Sequence, residues 1–418
     1  MMYENNNFEK RCQQGHCRSC RQSGLKPVLN LGQMPLSDGL LTEAQLTEKE
    51  DKYPLEVAFC PHCTLMQILE TVTPEKLFCE DYPYYSSFTD TLLEHSRKNV
   101  LSLIEKCKLG PDSFVVELAS NDGYLLKNYV EKSVPCLGID PAEGPAQEAE
   151  KVGVPTMCTF FTEDLAKQLV NEGHRADVIH ANNVLAHVAD TNGFVEGISI
   201  LLKDKGVAVI EVPYVREMID NCEFDTIYHE HLCYFSVTAL DQLFRRHRLF
   251  LNDVQHLTIH GGSLRLFVSP YEDVLESVRK LLEEEREIGV DKYEYYSSFS
   301  TKVQDIRERM QKLLQELKSK GKSIAAYGAA AKGAIMLNYI EADTDIINFV
   351  VDRNVHKQGK YMPGKHIPIC DPARLMQDMP DYVLILPWNF KDEILSQQQT
   401  YRQRGGRFII PIPYPQVV

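Results

Sequence analysis

Within seven residues the chain gathers Tyr228, His229, Glu230, His231 and Tyr234, a density of imidazole, carboxylate and phenol that packing alone seldom produces. His229 and His231 stand two apart, so one helix face cannot offer both to a metal as an HExxH motif does. Acid–base work suits them better. An imidazole titrates near neutrality and, beside a carbonyl, can take an α-proton, while a tyrosine can donate a hydrogen bond to the developing enolate. His187, further up the chain, is a third histidine of this kind.

Two CxxC knuckles, Cys17 with Cys20 and Cys60 with Cys63, are separated by 39 residues. Each knuckle lets two thiolates bite one tetrahedral ion from a tight turn, and the long separation requires a small lobe rather than a minimal finger. Four thiolates would close a zinc site and leave no open position for catalysis, so the expected ion is structural. Cys12, His16 and His62 flank the knuckles as alternative donors. Twelve cysteines in 418 residues are too few for a disulfide scaffold, and paired ones in a reducing cytosol point to metal.

These groups need elements to hold them. Phe114–Leu118 reads as a buried parallel strand ending in the acid Glu117, and the small-residue turn Ala119, Ser120, Asn121, Asp122, Gly123 follows it. Such a turn lets backbone approach a ligand at the carboxyl end of an open sheet. Cys136–Asp140 is the next strand, and Asp140 at its end is suited to a ribose diol. Strands at Asp177–Ala181 and Val207–Pro213 continue a doubly wound sheet, with Asn182 and Asn183 where a ligand's far end would lie. Acid-ended strands without a GxGxxG fingerprint favour S-adenosylmethionine over NAD.

Amphipathic helices at Val274–Leu282 and Val303–Leu317 read as a connector. Beyond Gly321 a second Rossmann-like sheet begins. Ser323–Tyr327 is a strand, Gly328–Ala331 a small-residue turn, and Lys332 lies in reach of a helix start, an anion site suited to a diphosphate although no Walker A loop is present. Further strands end at Asp352 and before Trp388 and Asn389. The fold class expected is therefore α/β, with a zinc lobe over 1–75, a Rossmann-like cofactor domain over 76–270, a helical connector over 271–320 and a second Rossmann-like domain over 321–418.

Forty-five basic against 59 acidic residues give a net charge of −14, which would repel a phosphate backbone and argues against nucleic acid as partner. The start MMYENNNFEKR lacks a signal-peptide core, and no uncharged apolar run of membrane-spanning length occurs, so a cytoplasmic protein without membrane partners is expected, as monomer or homodimer. His260, Gly261, Gly262 and Ser263 are similar to a lipase oxyanion loop, but the GxSxG elbow that a hydrolase of that kind needs is missing.

In order along the chain, the two knuckles with Leu31–Leu36 between them, Glu117–Gly123, Tyr228–His231, His260–Gly262 and Tyr327–Lys332 resemble the sugar C-methyltransferase family. The resemblance implies a class I methyltransferase core that holds S-adenosylmethionine, a structural zinc lobe, and a carboxyl-terminal domain that helps hold the diphosphate of a nucleotide-linked keto sugar through Tyr327, Lys332, Asp352, Trp388 and Asn389. It implies that His231 takes the C3 proton of a 4-keto sugar, with Tyr228, Glu230, His187 and the substrate-side Tyr84 orienting the base or stabilising the enolate. Ala119 stands where the family often has glycine. Three other readings compete. The acceptor could be another acidic carbon in natural-product assembly, the C-terminal sheet could serve an NAD-dependent sugar oxidoreductase or epimerase, or the chain could be a zinc-bearing scaffold, for which the Tyr-His-Glu-His cluster has no use.

Overall fold

The structure, a computed structural model, describes residues 2–78, 85–88, 90–257 and 262–418; Tyr84, His260 and Gly261 lie outside them. Three sheets organise the chain. Strands β1 (Lys26–Met34), β2 (Tyr53–Phe59) and β3 (Met66–Ile68) form an antiparallel lobe that carries the knuckles. Between Asn30 and Gln33 the register of β1 slips, and there Gly32 adopts φ +83° with its N–H donating to Asn30 Oδ1 at 2.8 Å, a left-handed kink that glycine takes at no steric cost.

The middle sheet is built from β4 (Val115–Leu118), β5 (Cys136–Asp140), β6 (Thr156–Cys158), β7 (Ala176–Asn182) and β8 (Leu202–Pro213). After it, β9 (Cys233–Tyr234) leaves for the first lobe, and β10 (Phe250–Leu257) and β11 (Ser263–Ser269) return. The order is β10-β11-β8-β7-β4-β5-β6, parallel throughout except for β11, which runs antiparallel between β8 and β10. All four residues of β4 are buried, as expected of a central strand covered by helices on both faces. A third sheet follows from β12 (Ile324–Tyr327), β13 (Val350–Val351), β14 (Ile369–Cys370), β15 (Tyr382–Ile385), β16 (Arg407–Ile410) and β17 (Gln416–Val417). Its order is β14-β13-β12-β15-β16-β17, with only β17 antiparallel.

Two junctions weld the lobes. β9, directly after the Tyr228–His231 stretch, pairs with β3 through Met66↔Tyr234 and Gln67↔Cys233, so the zinc lobe's sheet is completed by the middle domain's chain. The helices Glu276–Ile288, Tyr293–Ser297 and Phe299–Ser319 pack on both neighbours. Tyr296 stacks 4.7 Å from Phe59, and Tyr293 Oη donates to Pro27 O at 2.7 Å. Fully buried Glu285 accepts from Val237 N–H, Thr238 N–H, Thr238 Oγ1 and Tyr214 Oη at 2.6–2.9 Å, capping the helix Val237–Arg246. No described helix is long and apolar enough to cross a membrane.

Candidate active site

The first half of the site lies at the carboxyl ends of β4, β5 and β7. Ala119, Asn121 and Gly123 take φ of 56°, 48° and 74°, a tightly wound turn. Gly138 on β5 lets it settle, because a Cβ there would come within 2.5 Å of Ser120 Oγ and 3.0 Å of Thr156 Oγ1. Asp140 accepts from the Asn121 and Ala142 N–H groups at 2.8 and 2.9 Å, holding the turn and the next helix entry. Above the turn, Ser86 N–H donates to Asn121 Oδ1 and Ser87 N–H to Asp122 Oδ2, at 2.8 and 3.0 Å.

Glu117 is 1% exposed, and neither of its oxygens has a partner among the described residues. Burial pushes its carboxyl well above the usual range, with Asp140, Asp122 and Glu211 adding to the rise. Among the described residues Asn182 Oδ1 is likewise buried without a partner. Asn183, φ 53°, turns the chain with its N–H on Glu211 O at 2.8 Å. Buried acids and unpartnered acceptors at a sheet's switch edge are complementary to a cationic adenosine-type ligand, whose charge would compensate them.

Sequence reasoning assigned no role to the cluster beside this pocket. Arg265 on β11 donates to Glu211 Oε1 on β8 at 2.7 Å through Nε, and His95 Nε2 lies 3.0 Å from both Glu211 oxygens. Burial raises Glu211, but the His95 hydrogen bond and the Arg265 charge outweigh it and hold the carboxyl below its ordinary value. The acid was visible in the sequence; the arginine and histidine, 54 and 116 residues away, gave no local signal.

The second half of the site is the loop before β9. His231 Nδ1 lies 2.8 Å from Thr226 O, and a carbonyl only accepts, so Nδ1 carries the proton. The Nε2 lone pair then faces Tyr228 Oη at 3.0 Å, with the rings 4.0 Å apart. The His187 ring meets His231 edge to face at 4.7 Å, and burial pushes His187 down to about 4, which keeps it neutral. Glu230 accepts from Ser37 Oγ at 3.1 Å, across to the first lobe. Burial, then Asp38, push Glu230 up to about 7. His229 reaches Pro54 O at 3.3 Å and Tyr53 edge to face, tying the loop to β2. Of the four motif residues, Tyr228 and His231 thus form the half-buried pair, while His229 and Glu230 anchor buried to the zinc lobe.

The third lobe supplies a further group. Lys332 Nζ lies 4.8 Å above the Trp388 ring and donates to Asn389 Oδ1 at 3.1 Å. Trp388 Nε1–H donates to Asp225 Oδ2 at 2.8 Å, which brings this cluster onto the loop that holds His231. Gly328, φ +90°, passes so close that a Cβ would meet Pro387 Cδ at 2.5 Å. The Asp352 carboxylate accepts from Ala329 and Asn354 N–H groups, both at 2.7 Å, and so shapes the β12 turn; Tyr327 is buried at the end of β12.

In the first lobe the sulfurs of Cys17, Cys20, Cys60 and Cys63 all lie within 4.8 Å of one another, with Cys17–Cys63 at 3.4 Å and Cys20–Cys60 at 3.5 Å. A zinc ion bound at about 2.3 Å separates its thiolates by about 3.8 Å, so the set fits that ion. The knuckles are alike: Arg21 and Thr64, both left-handed, return their N–H groups to Cys17 O and Cys60 O. Cys12, His16 and His62 stand outside the cluster.

The fold and this site define a class I, S-adenosylmethionine-dependent methyltransferase with a zinc-binding lobe. Family models match residues 17–78 as a zinc binding domain, 92–249 as a methyltransferase domain and 258–413 as a C-methyltransferase C-terminal domain. The chain is 34% identical to C-methyltransferase NovU of Streptomyces niveus over 405 residues, covering 96% of each chain. It belongs to this C-methyltransferase family, the one its motifs resemble. Among solved structures, a S-adenosylmethionine-dependent methyltransferase from Clostridium acetobutylicum covers 42% of this chain and 91% of its own at 11% identity, TM-score 0.34. Magnesium protoporphyrin IX methyltransferase from Synechocystis, with bound SAH, covers 46% and 90% at 11% identity, TM-score 0.34. At that distance neither adds to the assignment.

Proposed function

We propose that the chain methylates C3 of a nucleotide-linked 4-keto-6-deoxysugar, with His231 as general base. The observation that carries this reading is the His231 geometry: Thr226 O fixes the proton on Nδ1 and leaves the Nε2 lone pair beside the Tyr228 hydroxyl. A ketone acidifies the neighbouring C–H enough for an imidazole, so the protein chiefly supplies alignment and charge stabilisation. Nε2 takes the C3 proton, and the C–H electron pair becomes an enolate with its charge on the former ketone oxygen. Tyr228 Oη, released from Nε2 as the substrate enters, donates to that oxygen. Glu117, Asn182 and the turn Ala119–Gly123 would hold S-adenosylmethionine, whose sulfonium would supply the methyl group, the S–CH3 electron pair staying on sulfur; the imidazolium left at His231 returns its proton to solvent. Neutral His187 packs against the base without competing for its proton.

Lys332, Trp388 and Asn389 are the groups proposed for the nucleotide diphosphate end. His231→Asn tests the base. It should abolish both methyl transfer and exchange of the substrate's α-hydrogen into deuterated buffer while S-adenosylmethionine still binds; near-normal turnover by the variant would sink the assignment.

A further inference from the structure

We propose that Asp225 is a positioning residue for methyl transfer, seating the third lobe against the helical turn whose Thr226 carbonyl sets the proton on His231; this rests on the reading of His231 as the base. Phe224–Thr226 is a single short turn, and its two outward groups go to opposite partners. Asp225 Oδ2 accepts the Trp388 indole N–H at 2.8 Å from the third lobe, and the next residue's carbonyl accepts His231 Nδ1–H at 2.8 Å. The turn is gripped a second time by that lobe, where Phe224 packs 5.1 Å from Tyr339 on the helix Ala331–Tyr339. Thr226 Oγ1 closes it internally on Glu223 O at 2.7 Å.

Adhesion between lobes does not call for an acid here. Asp225 is fully buried, its Oδ1 has no partner among the described residues, and burial raises its carboxyl to about 6. An apolar side chain of similar size would pack against the indole without that desolvation cost. What the carboxylate adds is direction: it fixes the turn's rotation relative to Trp388, and the turn in turn aims Thr226 O. Lys332 Nζ lies over the face of the same indole, so a phosphate drawn to its ammonium is felt one residue from the base's anchor. Trp388 is the chain's single tryptophan, which makes the contact spectroscopically visible.

The test uses the full chain with S-adenosylmethionine and whichever nucleotide 4-keto-6-deoxysugar it turns over. Asp225→Ala should lower kcat by about 100-fold, the scale of a misaligned catalytic group, while the sugar KM and the S-adenosylmethionine Kd stay within about twofold. Deuterium exchange at the substrate carbon should fall by the same factor. Asp225→Asn, whose Oδ1 can still accept the indole N–H, should restore kcat to within about fivefold of the parent. Trp388→Phe keeps the ring under Lys332 and deletes the donor; it should match the Asp225→Ala loss in kcat, and the double variant should be no worse than either. Tryptophan emission should shift in Asp225→Ala and not in Asp225→Asn. Multiplying kcat losses in the double variant, or an Asp225→Ala effect confined to KM, overturns the proposal; should Asp225→Ala fail to fold, Trp388→Phe with unchanged kcat does so equally. If His231→Asn kills transfer yet Asp225→Ala turns over normally, this inference alone fails. Near-normal turnover by His231→Asn instead removes the reading beneath it.

Discussion

Replacing Arg265 by methionine removes the guanidinium from Glu211 while keeping much of the side chain's bulk. The two groups are 8% and 2% exposed, and Arg265 Nη2 and Nε both approach Glu211 Oε1, at 2.6 and 2.7 Å. Deleting one partner of a buried pair leaves a charge in a poor solvent and costs about 3–5 kcal/mol. For a lobe of this size that corresponds to a fall in Tm of about 10 °C. The pH dependence has a definite sign. With Arg265 and His95 present, Glu211 sits below its ordinary value of 4.5 and contributes stability above that pH, lost as pH falls through the folded value. Without Arg265 burial wins, the folded value rises, and the carboxylate destabilises progressively as pH rises. The variant should therefore lie nearest the parent well below pH 4.5, where the acid is protonated in both, and fall further behind as pH rises and the buried acid must ionise. Thermal unfolding followed by circular dichroism across that range measures it, and the double variant Arg265→Met/Glu211→Gln should regain most of the loss. A drop below about 1 kcal/mol at neutral pH, or a gap that pH does not move, would refute the reasoning.

Glu230 offers the complementary case. Its folded value, about 7, lies above the ordinary 4.5, so its contribution is fully present below 4.5 and is lost as pH rises through 7. Glu230→Gln should gain on the parent by about 3 kcal/mol across that window, and a constant difference in Tm would contradict it. Cys63→Ser, or chelation, should release the first lobe and cut methyl transfer by about 100-fold through the β3–β9 pairing while S-adenosylmethionine binding persists. Calorimetry beside the activity assay separates the two, and full activity in metal-free protein would show that the lobe does not hold the loop. Gly138→Ala pushes a methyl onto Ser120 Oγ and should weaken S-adenosylmethionine by about tenfold; an unchanged Kd would mean the turn moves freely.

Much of this architecture was legible because it rests on local rules. The run Phe114–Leu118 reads as a buried strand because every residue but Glu117 is apolar, and the knuckles announce a tetrathiolate site by spacing. What stayed hidden needed contacts far apart in sequence. Nothing near Cys233 and Tyr234 says that they pair with Met66 and Gln67, because a two-residue strand has no periodicity. The Glu211–Arg265–His95 cluster and the Asp225–Trp388 contact are likewise products of sheet order and lobe packing. The Tyr228–His231 motif advertised chemistry but not its division of labour, which depends on whether each side chain meets Thr226, Ser37 or Pro54.

Methyl transfer to carbon of a nucleotide-linked keto sugar is the activity proposed for the protein. Incubating the protein with S-adenosylmethionine and a panel of nucleotide 4-keto-6-deoxysugars, then locating any added methyl by mass spectrometry and NMR, tests it most directly. The expected product carries one new methyl on the carbon next to the ketone. A methyl on oxygen or nitrogen, or no transfer to any member by folded protein that binds S-adenosylmethionine, would contradict it.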